Sequence, residues 1–468
     1  MIPINDLFTI LPALVLSIFA CALLLMRLEE AGLNVGFALA GEALTALALW
    51  RQSSYAGLAG FLGSVILDPF GIFLNAACWL AAVFTILVCA HSLAHENEQT
   101  GDFLGLVLLA QAGMTLVVSG VEIVTVFVGL ETAALSFYIL TGFYRARPES
   151  NEAALKYFLL GALSTGLLLY GFSLLYGLTG STRFAAIAAR LEGRDPQDPV
   201  LLLALVTLLA GLFFKVAAAP FHMWAPDAYQ GAPTPVSAFL ATASKVASFA
   251  LLLRLCAGPL AASRSAWEPL VVAAALLSLT IGNFAALTQQ SVKRLLAYSS
   301  VAHGGYILLG LVAGNRTGFE GMILYLLIYS IMTAGAFLLL ASFEKDDLGQ
   351  FRGLLYRQPW VAVAMLVFLV SLAGLPPTAG FFPKYQIFLS LIQTRHYVYA
   401  LIGALYVAVS LYYYFRIARE MILEPETPLA DVPSPMGWRA AVGVASILTL
   451  ALGINPQPAL DWARGALR

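Results

Sequence analysis

The stretch AGLFFKVAAAPFHMW, residues 210–224, closes an apolar run (VLLLALVTLLAGLFF, 200–214) and then sets a lysine, a proline and a histidine within eight residues. Proline removes a backbone donor and kinks a helix. At membrane depth such irregular backbone is tolerated only where it is buried in protein or lines a wet cavity. The segment runs on to about residue 232, too long for one straight span and too short for two. It is expected to be a broken helix.

Working outward, 60% of the 468 residues are hydrophobic and 11% are charged, with a mean hydropathy of +0.85. A soluble domain carries about 25% charged residues, so the chain reads as an all-α polytopic membrane protein in the lipid bilayer. The net charge is −1 and no Lys/Arg cluster could follow a phosphate backbone, so nucleic acid is not an expected partner. Cys21, Cys78, Cys89 and Cys256 form no CxxC, which excludes a zinc ribbon or an iron–sulfur ligand set and leaves them as small hydrophobes. MIPINDLF lacks a basic signal-peptide start, so a retained first span is expected.

At about 20 apolar residues per span, the chain divides into about fourteen candidate transmembrane helices in a single domain, 1–468. The connections are short, and RFAAIAARLEG (183–193) and DLGQFRGLLYR (347–357) have amphipathic spacing suited to the interface. Lys/Arg favour the odd-numbered connections slightly, which places both termini outside. A second break, GLPPT within 359–394, mirrors the first. Three helices in 1–101 precede a five-helix unit (102–257); a second unit (267–420) and a last helix with its tail (437–468) follow. The broken segment is fourth in both units, and units of odd helix number enter from opposite sides. The expected architecture is therefore a pair of inverted five-helix repeats, as in ion-coupled transporters.

Lys245, Glu131 and His303 lie near the middle of apolar segments, and Lys215 and Lys384 lie beside the two breaks. A central charge costs roughly 2.5–3.5 kcal/mol, so three lysines and a glutamate facing lipid would cost on the order of 10 kcal/mol. They are expected to face the bundle interior. Ser237, Ala241, Ser244 and Ser248 make a small or polar stripe beside Lys245, and Ser299 and Tyr306 flank His303. Arg254 sits near a helix end and reads as a snorkelling side chain. Glu42 has no assignable partner and reads as a groove-facing or near-interface acid, while His91, His95 and His396 read as surface groups at helix ends. A buried lysine changes charge state readily. Several such groups, bridged by histidine, serine and water, could pass a proton across about 30 Å of hydrocarbon without a cofactor. The sequence carries no P-loop, HExxH, nucleophile elbow or haem ligation. Gly57, Gly60 and Gly63 lack dinucleotide-fold spacing and read as loop. The driving energy is expected from a partner protein or another ion gradient.

GLETAALSFYIL around Glu131, FFKVAAAPFHMWAPDAYQGAPTPV from Phe213, SVKRLLAYSSVAHGGY from Ser291 and LAGLPPTAGFFPK up to Lys384 resemble the antiporter-like subunits of respiratory complex I and their Mrp cation/proton antiporter relatives. The resemblance covers essentially the whole chain. Within the family, 151–182 and Lys384 look most like the N-type subunit of proton-pumping NADH–quinone oxidoreductase. The resemblance implies roles in proton translocation. Glu131 and Lys215 would form an input ion pair, with His222 between Lys215 and Lys245. Lys245 would be the central carrier, His303 a relay and Lys384 the exit-side site. Lys293 lies in a matched motif. Phe381, Phe382 and Pro383 stand where the family more usually has small residues.

The resemblance further implies a bacterial plasma membrane, with a plastid thylakoid as the alternative. Neighbouring antiporter-like and other membrane-arm subunits would be partners. NADH, FMN, iron–sulfur clusters and quinone would be held by partner subunits and none by this chain. The competing expectations are a subunit of an Mrp-type antiporter or of a membrane-bound hydrogenase, and a passive membrane scaffold for a redox arm.

Overall fold

A computed structural model describes residues 4–26, 29–94, 99–343, 345–424 and 432–467. The main helices in chain order are α1 (Leu11–Met26), α2 (Ala31–Gln52), α3 (Pro69–Ala94), α4 (Thr100–Ser119), α5 (Ile123–Thr141), α6 (Pro148–Thr179), α7a (Pro199–Lys215) with α7b (Trp224–Gly231), and α8 (Thr234–Ala257). They continue as α9 (Arg264–Leu287), α10 (Val292–Ala313), α11 (Arg316–Leu340), α12a (Pro359–Ala373) with α12b (Phe381–Gln393), α13 (Tyr397–Ile422) and α14 (Met436–Ile454). Among the described residues, 11 helices are long and apolar enough to cross a membrane, and α1, α7a and α12a are shorter apolar helices. Short helices at Ile4–Thr9 and Gln457–Ala466 flank the set, and a two-stranded hairpin (Ala59–Gly60 with Val65–Ile66) occupies the glycine-rich loop.

Polar residues set the helix starts. Glu122 accepts from Thr125 N at 2.8 Å ahead of α5, and Asp198 accepts from Val200 N at 2.8 Å ahead of α7a. Arg194, through a side-chain hydrogen bond, and the cap amides hold the Asp198 carboxyl below the usual carboxylate range. In both interrupted helices the chain cannot continue its ladder through proline. Ala219–Pro220 and Pro376–Pro377 are cis, and the backbone between the half-helices makes turns.

Helix pairs cross closely where side chains are absent. A Cβ on Gly113 of α4 would lie 2.6 Å from Gly129 O of α5, and one on Gly305 of α10 would lie 2.8 Å from Ala275 O of α9. Small residues at such crossings let backbones approach, which is how helices associate in lipid. The centre of the molecule is α8, α10 and α11, whose apolar windows are 94%, 94% and 100% buried. Lys245 of α8 and His303 of α10 lie within it, 1% and 2% exposed.

Four expectations change. Arg254 is no snorkeller: its guanidinium grips Asp68 with two bonds (2.8 and 3.0 Å) and Val118 O at 2.9 Å, and lies 4.8 Å over the Phe70 ring. That ties the end of α8 to the start of α3 and the end of α4, because a fork-shaped cation satisfies a carboxylate better than distant headgroups do. DLGQFRGLLYR is not one amphipathic helix, since Gly353 at φ +69° separates two single turns, Leu348–Phe351 and Leu354–Arg357. The small stripe on α8 is not straight, because Leu240–Ser244 forms a π-turn and Ser244 is only partly buried while Ala241 and Ser248 are buried. Glu42 is 1% exposed and has a partner, Gln111, so it is a core acid and not a groove acid. His95 and the side chain of His91 lie outside the described residues. His396 is partly exposed and bonds Thr394 Oγ1 at 2.8 Å through Nδ1.

Candidate functional site

Lys215 is the last residue of α7a, and Lys384 reaches from α12b back to the end of α12a. The Lys384 ammonium donates to Leu372 O and Ala373 O at 2.9 Å each and lies 4.9 Å from the Tyr306 ring centroid. Both cations therefore sit at the C-terminal end of a first half-helix. At the end of α12a the break leaves Leu372 O and Ala373 O to the lysine, whereas at the end of α7a Val216, Ala218 and Ala217 N cover Leu212, Phe213 and Phe214 O, so that there the helix dipole acts on Lys215 without a freed carbonyl. The lysine route is also cleared by Gly374, whose φ is +85° and whose added Cβ would meet Lys384 Cδ at 2.7 Å.

Lys215 and Glu131 do come together. Their Nζ–Oε1 separation is 4.0 Å, and Thr165 Oγ1 of α6 donates to the same Oε1 at 2.9 Å. The carboxylate is thus held by the hydroxyl and only loosely by the lysine. Lys215 is the more enclosed partner, with 9% side-chain exposure against 27% for Glu131.

Lys245 follows directly on the π-turn of α8 and is 1% exposed. Its ammonium donates to Ser300 O of α10 and lies 5.7 Å from the Tyr329 ring centroid. Among the described residues no carboxylate pairs with Lys245 or Lys384. An added Cβ on Gly304 would lie 3.7 Å from both Lys245 Nζ and Val216 O, so α8 and the α7 break converge at that glycine. Four buried hydroxyls, of Tyr229, Ser300, Tyr329 and Thr333, cluster beside this ammonium, with Ser300 near both tyrosines and Thr333 near Tyr329, and none of them makes a hydrogen bond of good geometry.

His303 sits in a cage of tyrosines. Its Nδ1 pairs with Tyr325 OH at 2.6 Å, its Nε2 with Tyr414 OH at 3.1 Å, and Tyr414 OH also bonds Ser299 Oγ. Its ring packs on Tyr329 (5.2 Å) and Tyr306 (6.3 Å). Tyr329 also stands under Lys245, and Tyr306 under Lys384. The histidine is thus joined to each lysine through one shared ring. His222 lies in the α7 break, 9% exposed, with Nδ1 lacking a partner and its ring 6.5 Å from that of Tyr298. Among the described residues no hydrogen bond joins it to Lys215 or Lys245. Lys293 donates to Ala232 O at 3.3 Å, at the wall of a charged cavity of about 790 Å³ that Asp227, Lys156 and Arg294 also line.

Sequence reasoning missed Thr165, Tyr325, Tyr329 and Tyr414. The pair in YLLIY, four residues apart, places two hydroxyls on one face of an otherwise apolar segment, a signal that was available. Thr165 and Tyr414 carry none, because their roles depend on which helix packs opposite. Among the described residues no group of three or more His, Cys, Asp or Glu could hold a metal ion.

A family model described as NADH:quinone oxidoreductase/Mrp antiporter, TM, matches residues 121–410. The chain is 48% identical to NADH-quinone oxidoreductase subunit N 2 of Solibacter usitatus, over 99% of this chain and 98% of that protein. It is 38% identical to NADH-quinone oxidoreductase subunit N of Trichlorobacter lovleyi, over 99% and 97%. Among solved structures it is similar to a chain of respiratory complex I from Thermus thermophilus with bound aureothin (37% identity, TM-score 0.82, covering 96% and 98%). A chain of the Mrp complex from Dietzia sp. shares the fold at 22% identity (TM-score 0.86, covering 99% and 97%).

Proposed function

The chain belongs to the NADH:quinone oxidoreductase/Mrp antiporter transmembrane family, and from that premise we propose how its buried charges work. It is a proton-translocating membrane-arm subunit of NADH–quinone oxidoreductase, of the N type, and acts beside the other antiporter-like subunits of that complex. Its relatives are bacterial, so its membrane is the bacterial plasma membrane, and the thylakoid alternative is dropped. The Mrp-type alternative has a likeness in fold alone at 22% identity.

The observation that carries the site reading is the shared-ring line: Lys245 over Tyr329, Tyr329 and Tyr306 against His303, and Tyr306 under Lys384. A lysine that is buried and held only by carbonyls and rings gains little by staying charged, so it can release a proton and take it back. Glu131 sets the charge of Lys215: with Glu131 ionised, the ammonium is favoured, and withdrawing or protonating the carboxylate frees its proton. A 4.0 Å pair that shares its acid with Thr165 suits such a loose contact. Transfer then runs to Lys245 by way of the α7 break, with His222 as an intermediate acceptor. Water joining the loosely associated hydroxyls of Tyr229, Ser300, Tyr329 and Thr333 would carry the proton on from Lys245. His303 passes it between its two ring nitrogens, and Lys384 is the exit-side store. Moving one charge against 100 mV takes about 2.3 kcal/mol. That energy comes from quinone reduction, whose NADH, FMN, iron–sulfur and quinone sites belong to partner subunits.

The test is Lys245→Ala in the assembled complex, measured as vesicle acidification per quinone reduced. Loss of pumping with assembly intact is expected and excludes a passive scaffold. Pumping at the unaltered rate would overturn the assignment.

A further inference from the structure

The lysine line leaves one buried acid unused. Glu42 lies mid-way along α2, 1% exposed, and faces Gln111 of α4, also 1% exposed. Gln111 Nε2 donates to Glu42 Oε2 at 3.1 Å. Two oxygens then remain buried without partners: Glu42 Oε1 and Gln111 Oε1. Other donors nearby are engaged. Trp79 Nε1 of α3 donates to the backbone carbonyl of Glu42 at 2.9 Å, Thr45 to Gly41 O at 2.9 Å, and Thr115 to Gln111 O at 3.0 Å.

Charged groups on the surrounding elements stand elsewhere. Arg51 is in the exposed last turn of α2, and Asp102 is in the first turn of α4. On the C-terminal helix that packs against α3, Asp461 and Arg464 pair with each other at 3.3 Å. On α1 and α3, the titratable side chains nearest in register are the cysteines Cys21, which is exposed, and Cys78, which is buried. Cys78 lies instead 3.6 Å from Ala243 O, in the π-turn before Lys245. No cation among the described residues reaches Glu42.

An ionised carboxylate here would have a single neutral donor, and burying a charge so poorly matched is heavily disfavoured. Both orphan oxygens are acceptors, so one hydrogen between them satisfies both. We propose that Glu42 is a proton-binding site separate from the lysine line, holding its proton as a reciprocal acid–amide pair with Gln111. The amide donates Nε2–H to Glu42 Oε2, and the carboxylic acid donates Oε1–H to Gln111 Oε1. An acid and an amide locked this way join α2 to α4 with two hydrogen bonds and no net charge, which a membrane interior favours. A sodium ion shared by the two orphan oxygens is the competing occupant, and it would leave Glu42 ionised.

Infrared difference spectroscopy on the purified intact complex, wild type minus Glu42→Gln, at neutral pH and without sodium and again with it, decides the matter. The expected result is the loss in the variant of one protonated-carboxyl C=O band that shifts on hydrogen–deuterium exchange and ignores sodium. Loss of carboxylate bands instead, with or without sodium dependence, overturns the proposal. Glu42→Gln keeps both hydrogen bonds as an amide–amide pair, so the complex is expected to assemble at the unaltered melting temperature; failure to assemble also overturns it. In Gln111→Leu the freed acid should move its C=O band to higher frequency, and an unmoved band would refute the pairing.

Discussion

At the scale of single residues, the two broken helices solve one problem twice. A lysine in hydrocarbon needs negative potential without a permanent counter-ion, since a tight carboxylate partner would fix its proton. The freed carbonyls at the end of α12a supply that potential to Lys384, and a loosely held carboxylate, Glu131 at 4.0 Å, supplies it to Lys215. Lys384 depends most visibly on one neighbour, because Gly374 has both a left-handed backbone and no room for a side chain. Gly374→Ala should lose about 1–2 kcal/mol from the left-handed conformation alone and also displace Lys384. A lowered melting temperature with impaired pumping is the expected result, and unchanged values for both would contradict this packing. Thr165→Val removes one hydrogen bond to Glu131 Oε1. A hydrogen bond to an ionised carboxylate contributes about 1.5–3 kcal/mol, so coupled turnover should fall about ten- to a hundredfold while assembly is retained. Equal pumping yield and rate would show that Thr165 does not position the acid.

At the scale of helices, α8 carries the central lysine between two fixed points. Its π-turn precedes Lys245, and the Arg254–Asp68 fork anchors its far end. One extra residue in a turn rotates the remainder of the helix by about 100°, and that rotation helps decide which face Lys245 presents. Without the anchor, the rotated helix could slide along its axis. Arg254→Ala and Asp68→Ala should each lower the thermal stability of the complex by similar amounts. Their double variant should lose far less than the sum, because the two side chains form a partly enclosed pair whose coupling is about 1–3 kcal/mol. Additive losses would mean that the fork is incidental.

At the scale of the whole molecule, one backbone device occurs twice. Ahead of α5, Ile123 N donates to Thr182 O and Phe184 N to Val121 O; ahead of α10, Val292 N donates to Asp346 O and Leu348 N to Gln290 O. Each bridge links the start of one helix to the segment after the next. We read 102–257 and 267–420 as inverted repeats, and this places the two bridges at opposite membrane faces. With the exposed Cys21 replaced by serine, Gln197→Cys and Lys345→Cys should react with an impermeant maleimide from opposite sides of oriented vesicles. From the slight excess of Lys/Arg in odd-numbered connections, the Lys345→Cys variant is expected to label from the cytoplasmic side. Labelling of both from one side would remove the inverted repeat.

Composition and hydropathy determined the membrane class, because about 20 apolar residues are enough to span a bilayer wherever they fall. The two proline breaks and the lysines beside them were equally legible, since proline acts locally. The Glu131–Lys215 pair came from a resemblance to a family, and the structure brings the two residues together at 4.0 Å. What packs opposite a given face was decided only in three dimensions. Arg254 finds Asp68 across 186 positions of sequence, Glu42 finds Gln111 across 69, and Tyr414 reaches His303 across 111. The order of residues on one helix says which side chains share a face. It does not say which helix covers that face, because in lipid that choice rests on close shape contact and on leftover hydrogen-bonding groups, and these exist only once the bundle has assembled.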